Sequence, residues 1–233
     1  MNSRIDDVRS YAASVLRVGI GMNRAAGAHP PGKPLVLYEF EACPYCRKAR
    51  EALSHLDIDV EVRPVARQSP RRAELKARGG KIQVPYLVDP NTGVEMYESD
   101  DIVRYLYERY GSRPAPFLLR SRALGDWLSF LASGVRLGHG RRVVDGRKPP
   151  PEKVIELYNM ESSPYCRKVR EALCELDLTY FNRNIPHGSE EREALRARAG
   201  KVQVPYLIDP NTGKDLFESD DIVAYLYATY GPG

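Results

Sequence analysis

The chain has 233 residues, of which 42% are hydrophobic and 28% charged, with a formal net charge of +4. These are the proportions of a soluble globular protein; the charge is too small for a nucleic-acid binder, and the basic residues do not interleave with aromatics as a base-stacking surface requires. Four cysteines, two of them in one C-x-x-C, exclude a disulfide framework and point to thiol redox chemistry in a reducing compartment.

In chain order, residues Tyr11–Met22 are mildly apolar, but Arg17 interrupts them and Asp6 and Asp7 precede them, so the pattern of a secretory signal is missing. No stretch approaches the ~18–20 apolar residues of a membrane span. The expected location is the cytoplasm. Ile5, Val8, Ala12, Val15 and Leu16 share one helical face, and a Pro/Gly/basic connector runs over Ala25–Pro34. Residues 1–34 are therefore read as a helical arm and linker. An apolar stripe has to be buried, so the arm is expected to pack on a domain.

The first domain, 35–111, reads as β-α-β-α-β-β-α. Leu35–Phe40 alternates as a strand, and Pro44 opens a helix through Leu56. Val60–Val65 is a second strand and Arg71–Arg78 a charged helix. Strands at Val84–Val88 and Glu95–Glu98 flank Asp89-Pro90-Asn91-Thr92-Gly93, a hairpin turn. Ser99–Tyr110 closes the domain as a helix. Residues 112–153 form a second arm and linker, with Leu124, Trp127, Leu128, Leu131 and Val135 on one face. Residues 154–233 then repeat every element of the first domain. Residues 35–111 and 155–231 align without a gap at an offset of 120, with 43 of 77 pairs identical. Two domains of roughly 100 residues, each with its own core, are expected.

The copies differ where chemistry is expected. Glu41-Ala42-Cys43-Pro44-Tyr45-Cys46-Arg47-Lys48 becomes Glu161-Ser162-Ser163-Pro164-Tyr165-Cys166-Arg167-Lys168. Cys43 precedes a proline suited to the first helical position, which places it at the N-cap. There the helix dipole and free N–H groups favour thiolate over thiol, and Arg47 and Lys48 add positive potential. Cys46 lies one turn on, within disulfide reach. A zinc site would need two further ligands at suitable spacing, and no metal is expected. Ser163 is an excellent cap, which explains it by itself; the other reading has Ser163, or its neighbour Ser162, donating to a thiolate. Cys174 lies eight helical residues from Cys166, about 12 Å, too far for a disulfide, and is read as a buried small residue.

A strand, Cys-Pro-Tyr-Cys at a helix start, Val-Pro before a hairpin and Glu-Ser-Asp at the last helix together resemble the thioredoxin superfamily. More narrowly they resemble glutaredoxins and the N-terminal domain of glutathione transferases. The resemblance covers both repeats, and it implies an α/β fold of two tandem thioredoxin-like domains, each preceded by a helical arm. It implies glutathione as cosubstrate. Val84-Pro85 and Val204-Pro205 would be the segment whose proline is cis and whose valine backbone pairs with the cysteinyl part of glutathione. Glu98-Ser99 and Glu218-Ser219 would receive the γ-glutamyl end at a helix N-terminus. The plainer alternative has Ser99 capping that helix while Asp100 and Asp101 favour its dipole, and both can hold at once. Lys81 and Lys201 would meet the glycine carboxylate or stay solvated. Tyr45, Arg47 and Tyr165 complete the implied contacts.

Three functions remain open on this reading. One is a glutathione-dependent thiol–disulfide oxidoreductase with Cys43 as nucleophile and Cys46 resolving. The second is a transferase in which Ser163 or Cys43 orients a glutathione thiolate toward an electrophile. The roughly 40 residues between the repeats are too few for the helical domain that transferases normally add, so the arms and the cleft between domains would have to form the electrophile pocket. The third is a non-catalytic glutathione-binding scaffold. A disulfide or electrophilic substrate is the expected partner, and the chain is expected to be a monomer or homodimer.

Overall fold

The computed structural model describes residues 21–121 and 139–233. The first repeat comprises β1 (Leu35–Glu39), α1 (Pro44–His55), β2 (Val60–Pro64), α2 (Arg71–Gly79), β3 (Tyr86–Asp89), β4 (Val94–Met96) and α3 (Ser99–Tyr110). A single turn, α4 (Phe117–Arg120), follows. The second repeat comprises β5 (Ile155–Asn159), α5 (Pro164–Glu175), β6 (Tyr180–Asn184), α6 (Glu191–Ala199), β7 (Tyr206–Asp209), β8 (Lys214–Phe217) and α7 (Ser219–Tyr230). Each is a thioredoxin-like β-α-β-α-β-β-α unit. The apolar positions expected for the two arm helices, Trp127 among them, lie outside the described residues.

Local chemistry sets the element ends. Pro44 and Pro164 occupy the first turn of α1 and α5 behind Cys43 and Ser163 as N-caps. Each helix stops in the same six-residue closure. Asp57, at φ 58°, turns the chain left-handed, and the Ile58 N–H reaches back to the Leu53 carbonyl at 3.0 Å. Asp177 and Leu178 repeat it, Leu178 N–H to the Leu173 carbonyl at 2.9 Å. Strand β3 starts at Tyr86, two residues later than the sequence pattern indicates. Pro85 has no N–H to give a ladder, and the Val84–Pro85 and Val204–Pro205 bonds are cis.

All eight strands belong to one sheet, in the order β4-β3-β1-β2-β6-β5-β7-β8. Within each repeat the first two strands are parallel and the hairpin antiparallel. The repeats meet edge to edge through β2 and β6, antiparallel, with Val60 opposite Asn182, Glu61 opposite Phe181 and Val62 opposite Tyr180. The joint spares each repeat an open strand edge. Side chains reinforce it: Asn184 N–H donates to Asp59 at 3.0 Å, Asn184 Nδ2 to the Ile58 carbonyl at 2.7 Å, and Ser69 Oγ to Asp177 at 2.7 Å. The main apolar core likewise runs through both repeats, from Leu35, Leu37 and Leu53 to Ile155, Leu157 and Leu173, all fully buried. Each repeat also has a cluster of its own, Tyr38, Val65, Leu75 and Tyr86 in the first and Tyr158, Ile185, Leu195 and Tyr206 in the second, so the expected separate cores are joined by a larger shared one.

The hairpins are pinned by buried carboxylates. Asp89 accepts from the Tyr105 and Tyr110 hydroxyls at 2.6 and 2.5 Å and from Asn91, and Asp209 does the same with Tyr225, Tyr230 and Asn211. Burial would raise these carboxyls, but the hydrogen bonds outweigh it and hold both below the ordinary range. A depressed folded pKa contributes stability above the unfolded value of about 3.9, and that stability is lost as pH falls through the lower folded value. Asp89→Asn with Asp209→Asn is expected to lower stability at pH 7 by about 1–3 kcal/mol per site and to flatten acid unfolding below about pH 4. Denaturant titration across pH 2–7 checks this; an unchanged acid limb would count against the assignment.

Candidate functional site

The turn between β1 and α1 carries the C-x-x-C. Cys43 has extended backbone at the N-cap, and its sulfur accepts from the Cys46 N–H at 3.3 Å. Both thiols are free. The Cys43 thiol is shifted down, first by a hydrogen bond from the Cys46 side chain and then by the Cys46 and Tyr45 N–H groups, against the effect of burial. Burial pushes Cys46 up, and Cys43 beside it adds to the rise. The pair is thus split in the sense that a nucleophile and a resolving thiol require. Cys43 is only 4% exposed, so approach to its sulfur is restricted.

Ser163 occupies the same N-cap in the second repeat and accepts from the Cys166 N–H at 3.3 Å. Its capping role is therefore visible. The neighbouring Ser162 hydroxyl is buried and has no hydrogen-bond partner among the described residues. Cys174 is buried, donates to the Gly140 carbonyl at 3.2 Å, and has its thiol pushed well up by burial. Ser54 makes the matching bond to Gly21 at 2.9 Å.

Beside each cap lies the recognition segment. In the second repeat, Tyr165, Gln203, Val204, Pro205, Glu218, Ser219 and Asp220 line a cleft of about 440 Å³. The first repeat has the same parts in the same conformations. Val84 and Val204 precede β3 and β7 and stand outside the ladder. Glu98 and Glu218 have φ of 66° and 64°, a conformation unusual for residues with a Cβ, and hold the N-cap positions of α3 and α7. No side chain caps either helix, and Ser99 and Ser219 are first helical residues. The capping alternative for Ser99 is thus corrected: the cap position belongs to Glu98. The helix dipole gives both of these N-termini a potential that favours anions. Gln83 and Gln203 donate to Glu98 and Glu218 at 2.6 Å. Sequence reasoning missed these glutamines, although both copies carry Gln immediately before Val-Pro.

Other expected residues are placed differently. Lys81 lies over the Tyr97 ring and Lys201 over the Phe217 ring, 4.4 and 4.2 Å from the centroids. Tyr45 and Tyr165 are about two-fifths exposed beside the caps, at 41% and 40%. Arg47, expected to touch glutathione, is 2% exposed and sits near Glu41 and Glu161 at the junction of the repeats, where burial pushes its pKa down. It contributes charge there and is not presented to the cleft. Arg50 and Arg170 are buried in the same cluster with Glu39, Glu41, Glu161 and Asn159. Among the described residues, no group of His, Cys, Asp or Glu has the arrangement of a metal site. Nor is any described helix long and apolar enough to cross a membrane.

A family model for the glutathione S-transferase N-terminal domain matches residues 37–114 and again 157–233. Among solved structures, the chain is similar to one described as "Leishmania TDR1 - a unique trimeric glutathione transferase". The identity is 16% and the TM-score 0.31, over 87% of this chain and 68% of that one. A search of curated proteins returned no match.

Proposed function

The chain belongs to the family of the glutathione S-transferase N-terminal domain, and from that premise we propose that it is a glutathione-dependent thiol–disulfide oxidoreductase. Cys43 is the nucleophile and Cys46 the resolving thiol. The observation that carries this reading is the N-cap sulfur of Cys43, hydrogen-bonded by Cys46, in the repeat that alone keeps both thiols.

In the proposed cycle the Cys43 thiolate attacks a sulfur of a glutathione mixed disulfide. The S–S bond breaks, the substrate leaves as thiolate and takes a proton, and Cys43 becomes glutathionylated. A second glutathione thiolate then attacks the glutathione sulfur of that adduct, forming glutathione disulfide and freeing the Cys43 thiolate. Alternatively Cys46, after losing its proton, attacks the Cys43 sulfur and releases the bound glutathione as thiolate, which takes up a proton. The Cys43–Cys46 disulfide so formed is reduced by two further glutathiones. The Val84 main chain would pair with the cysteinyl part, and the α3 N-terminus would hold the γ-glutamyl carboxylate. The second repeat keeps those recognition parts without the nucleophile, so it binds glutathione, and Ser163 there would orient a glutathione thiolate. That arrangement supports a transferase-type reaction as the second reading.

Calorimetry with glutathione tests both halves of the proposal. Two equivalents are expected per chain, falling to one when Ser219→Ala impairs the second cleft. Mass analysis after glutathione disulfide treatment should place the stable adduct on Cys43 alone. One equivalent unchanged by Ser219→Ala would refute the second site, and no adduct on Cys43 would refute the redox reading.

A further inference from the structure

We propose that Arg170, in the second repeat, is a positioning residue for Cys43 in the first; this rests on Cys43 being the reactive thiol. Glu41 sits two residues before Cys43, in the turn that delivers it to the N-cap, and is 1% exposed. Arg170 comes from α5, is fully buried, and grips the Glu41 carboxylate with Nε at 3.0 Å and Nη2 at 3.1 Å. Arg50 holds the same turn from within the first repeat, bonding the Glu41 carboxylate at 3.1 Å and its carbonyl at 3.4 Å. Gly140, on the second linker, closes the remaining side. A Cβ there would lie 2.8 Å from that of Glu41.

The arrangement is reciprocal but unequal. Arg50 reaches across to Glu161, the counterpart of Glu41, with a single bond from Nε at 3.2 Å. The reason is one substitution between the copies. Arg50 also pairs with Glu39 of its own strand, whereas the residue in that place in the second repeat is neutral Asn159, which Arg170 bonds at 2.6 Å. Arg170 therefore has no strand carboxylate to serve and shares its charge between Glu41, held by two bonds, and Glu161, at 3.1 Å. The exchange of Glu39 for Asn at 159 is the difference that leaves two bonds for the turn carrying the thiol.

The titratable and charged groups facing Glu41 are Arg47 and Arg50 of α1, Arg167, Arg170 and Cys174 of α5, Glu39 of β1 and Tyr180 of β6, with Glu161 sharing Arg50 and Arg170. Those acting on Cys43 itself are Cys46 and Glu39. Removing Arg170 leaves the Glu41 charge less compensated and takes away the two-pronged grip from α5. Both effects work against a thiolate at Cys43, one by raising the negative potential and the other by loosening the N-cap geometry.

The test is the pH–rate profile of Cys43 alkylation by iodoacetamide, read by mass mapping on the full chain. Arg170→Met is expected to raise the apparent pKa of Cys43 by about one unit, a roughly tenfold smaller thiolate fraction at neutral pH. Arg170→Lys, which keeps charge but not the two-pronged grip, should fall between; it carries the test if Arg170→Met fails to fold. Asn159→Glu, which offers Arg170 a competing carboxylate, should shift the profile in the same direction. Asp209→Asn, which disturbs a buried network remote from Glu41, should lower stability and leave the profile in place. Folded Arg170→Met and Arg170→Lys proteins with the wild-type profile would overturn the proposal. A wild type that forms no mixed disulfide with glutathione disulfide refutes the redox reading instead, so the two failures are separate.

Discussion

Replacing Cys43 by serine is expected to lower glutathione-dependent disulfide reduction by ~10³-fold or more, because no other described sulfur combines an N-cap position with a downward shift. Cys166 and Cys174 both have thiols raised by burial, and neither has a cysteine one turn before it on its helix. Cys46→Ser should keep turnover of glutathionylated substrates, since a second glutathione resolves the mixed disulfide, and lose reduction that depends on an internal disulfide. Alkylation should follow the same order: Cys43 reacting with an apparent pKa below about 8.5, and Cys174 slowest. Substantial activity in Cys43→Ser, or Cys174 labelled first, would show that the reactive thiol had been misassigned.

Arg50→Ala is expected to be among the most destabilising single changes in the protein. It would leave Glu39, Glu41 and Glu161 buried with one of their two principal cationic partners gone. Breaking a buried ion pair by removing one partner costs about 3–5 kcal/mol, because the surviving charge has neither water nor counter-ion. For a chain of this size that corresponds to a fall in melting temperature of roughly 6–20 °C. The exposed Arg196–Glu193 pair at 2.9 Å is the comparison. Arg196→Ala should stay within about 0.5 kcal/mol, since surface pairs gain little in high dielectric. Thermal denaturation of both variants decides it, and equal effects would mean that the cluster is solvated or neutralised. Burial pushes the Glu39 carboxyl up to about 7, with Arg50 pulling against it. Stability from that raised pKa is present below the unfolded value of about 4.3 and lost as pH rises toward 7.

Much of each repeat was legible because local rules set it. The Asp89–Gly93 turn, the Pro44 and Pro164 starts, and the Ser99–Tyr110 helix depend on neighbours in sequence. The Cys43 cap and the Val-Pro and Glu-Ser pairs were visible for the same reason. What joins the repeats was not legible. Glu61 and Phe181 reveal nothing by their alternation about which edge they will face. Arg47 and Lys48 read only as positive potential beside Cys43, with Arg47 an implied glutathione contact, and Arg50 and Glu51 give no reading, since charges on a helix normally face water. All four are buried: Arg50 meets Glu161 of the other repeat, Arg47 lies near the same carboxylate, and Lys48 pairs with Asp100 of α3. The one clue was the same R-K-x-R-E in both copies, and it has meaning only once the strands are known to meet. Gln83 and Gln203 were overlooked because an amide beside Val-Pro shows no chemistry until the left-handed turn at Glu98 brings a carboxylate to it.

The register of the β2–β6 joint carries one more consequence. Val60 opposite Asn182 and Val62 opposite Tyr180 are exchanged by the offset of 120, and Glu61 opposite Phe181 maps onto itself. A two-fold axis therefore passes between Glu61 and Phe181. A homodimer of first repeats joined in this way would set Glu61 against its own copy, a like-charge pair directly across strands, which is destabilising. Tethering two copies in one chain removes that self-complementarity requirement. The residue on the axis is a carboxylate on one side and an aromatic ring on the other. The same freedom permits a carboxylate at residue 39 where an amide stands at 159, and a thiol at residue 43 where a hydroxyl stands at 163. A symmetric assembly must give both halves the same chemistry, whereas this covalent pair can devote one half to the reaction and the other to holding it in place.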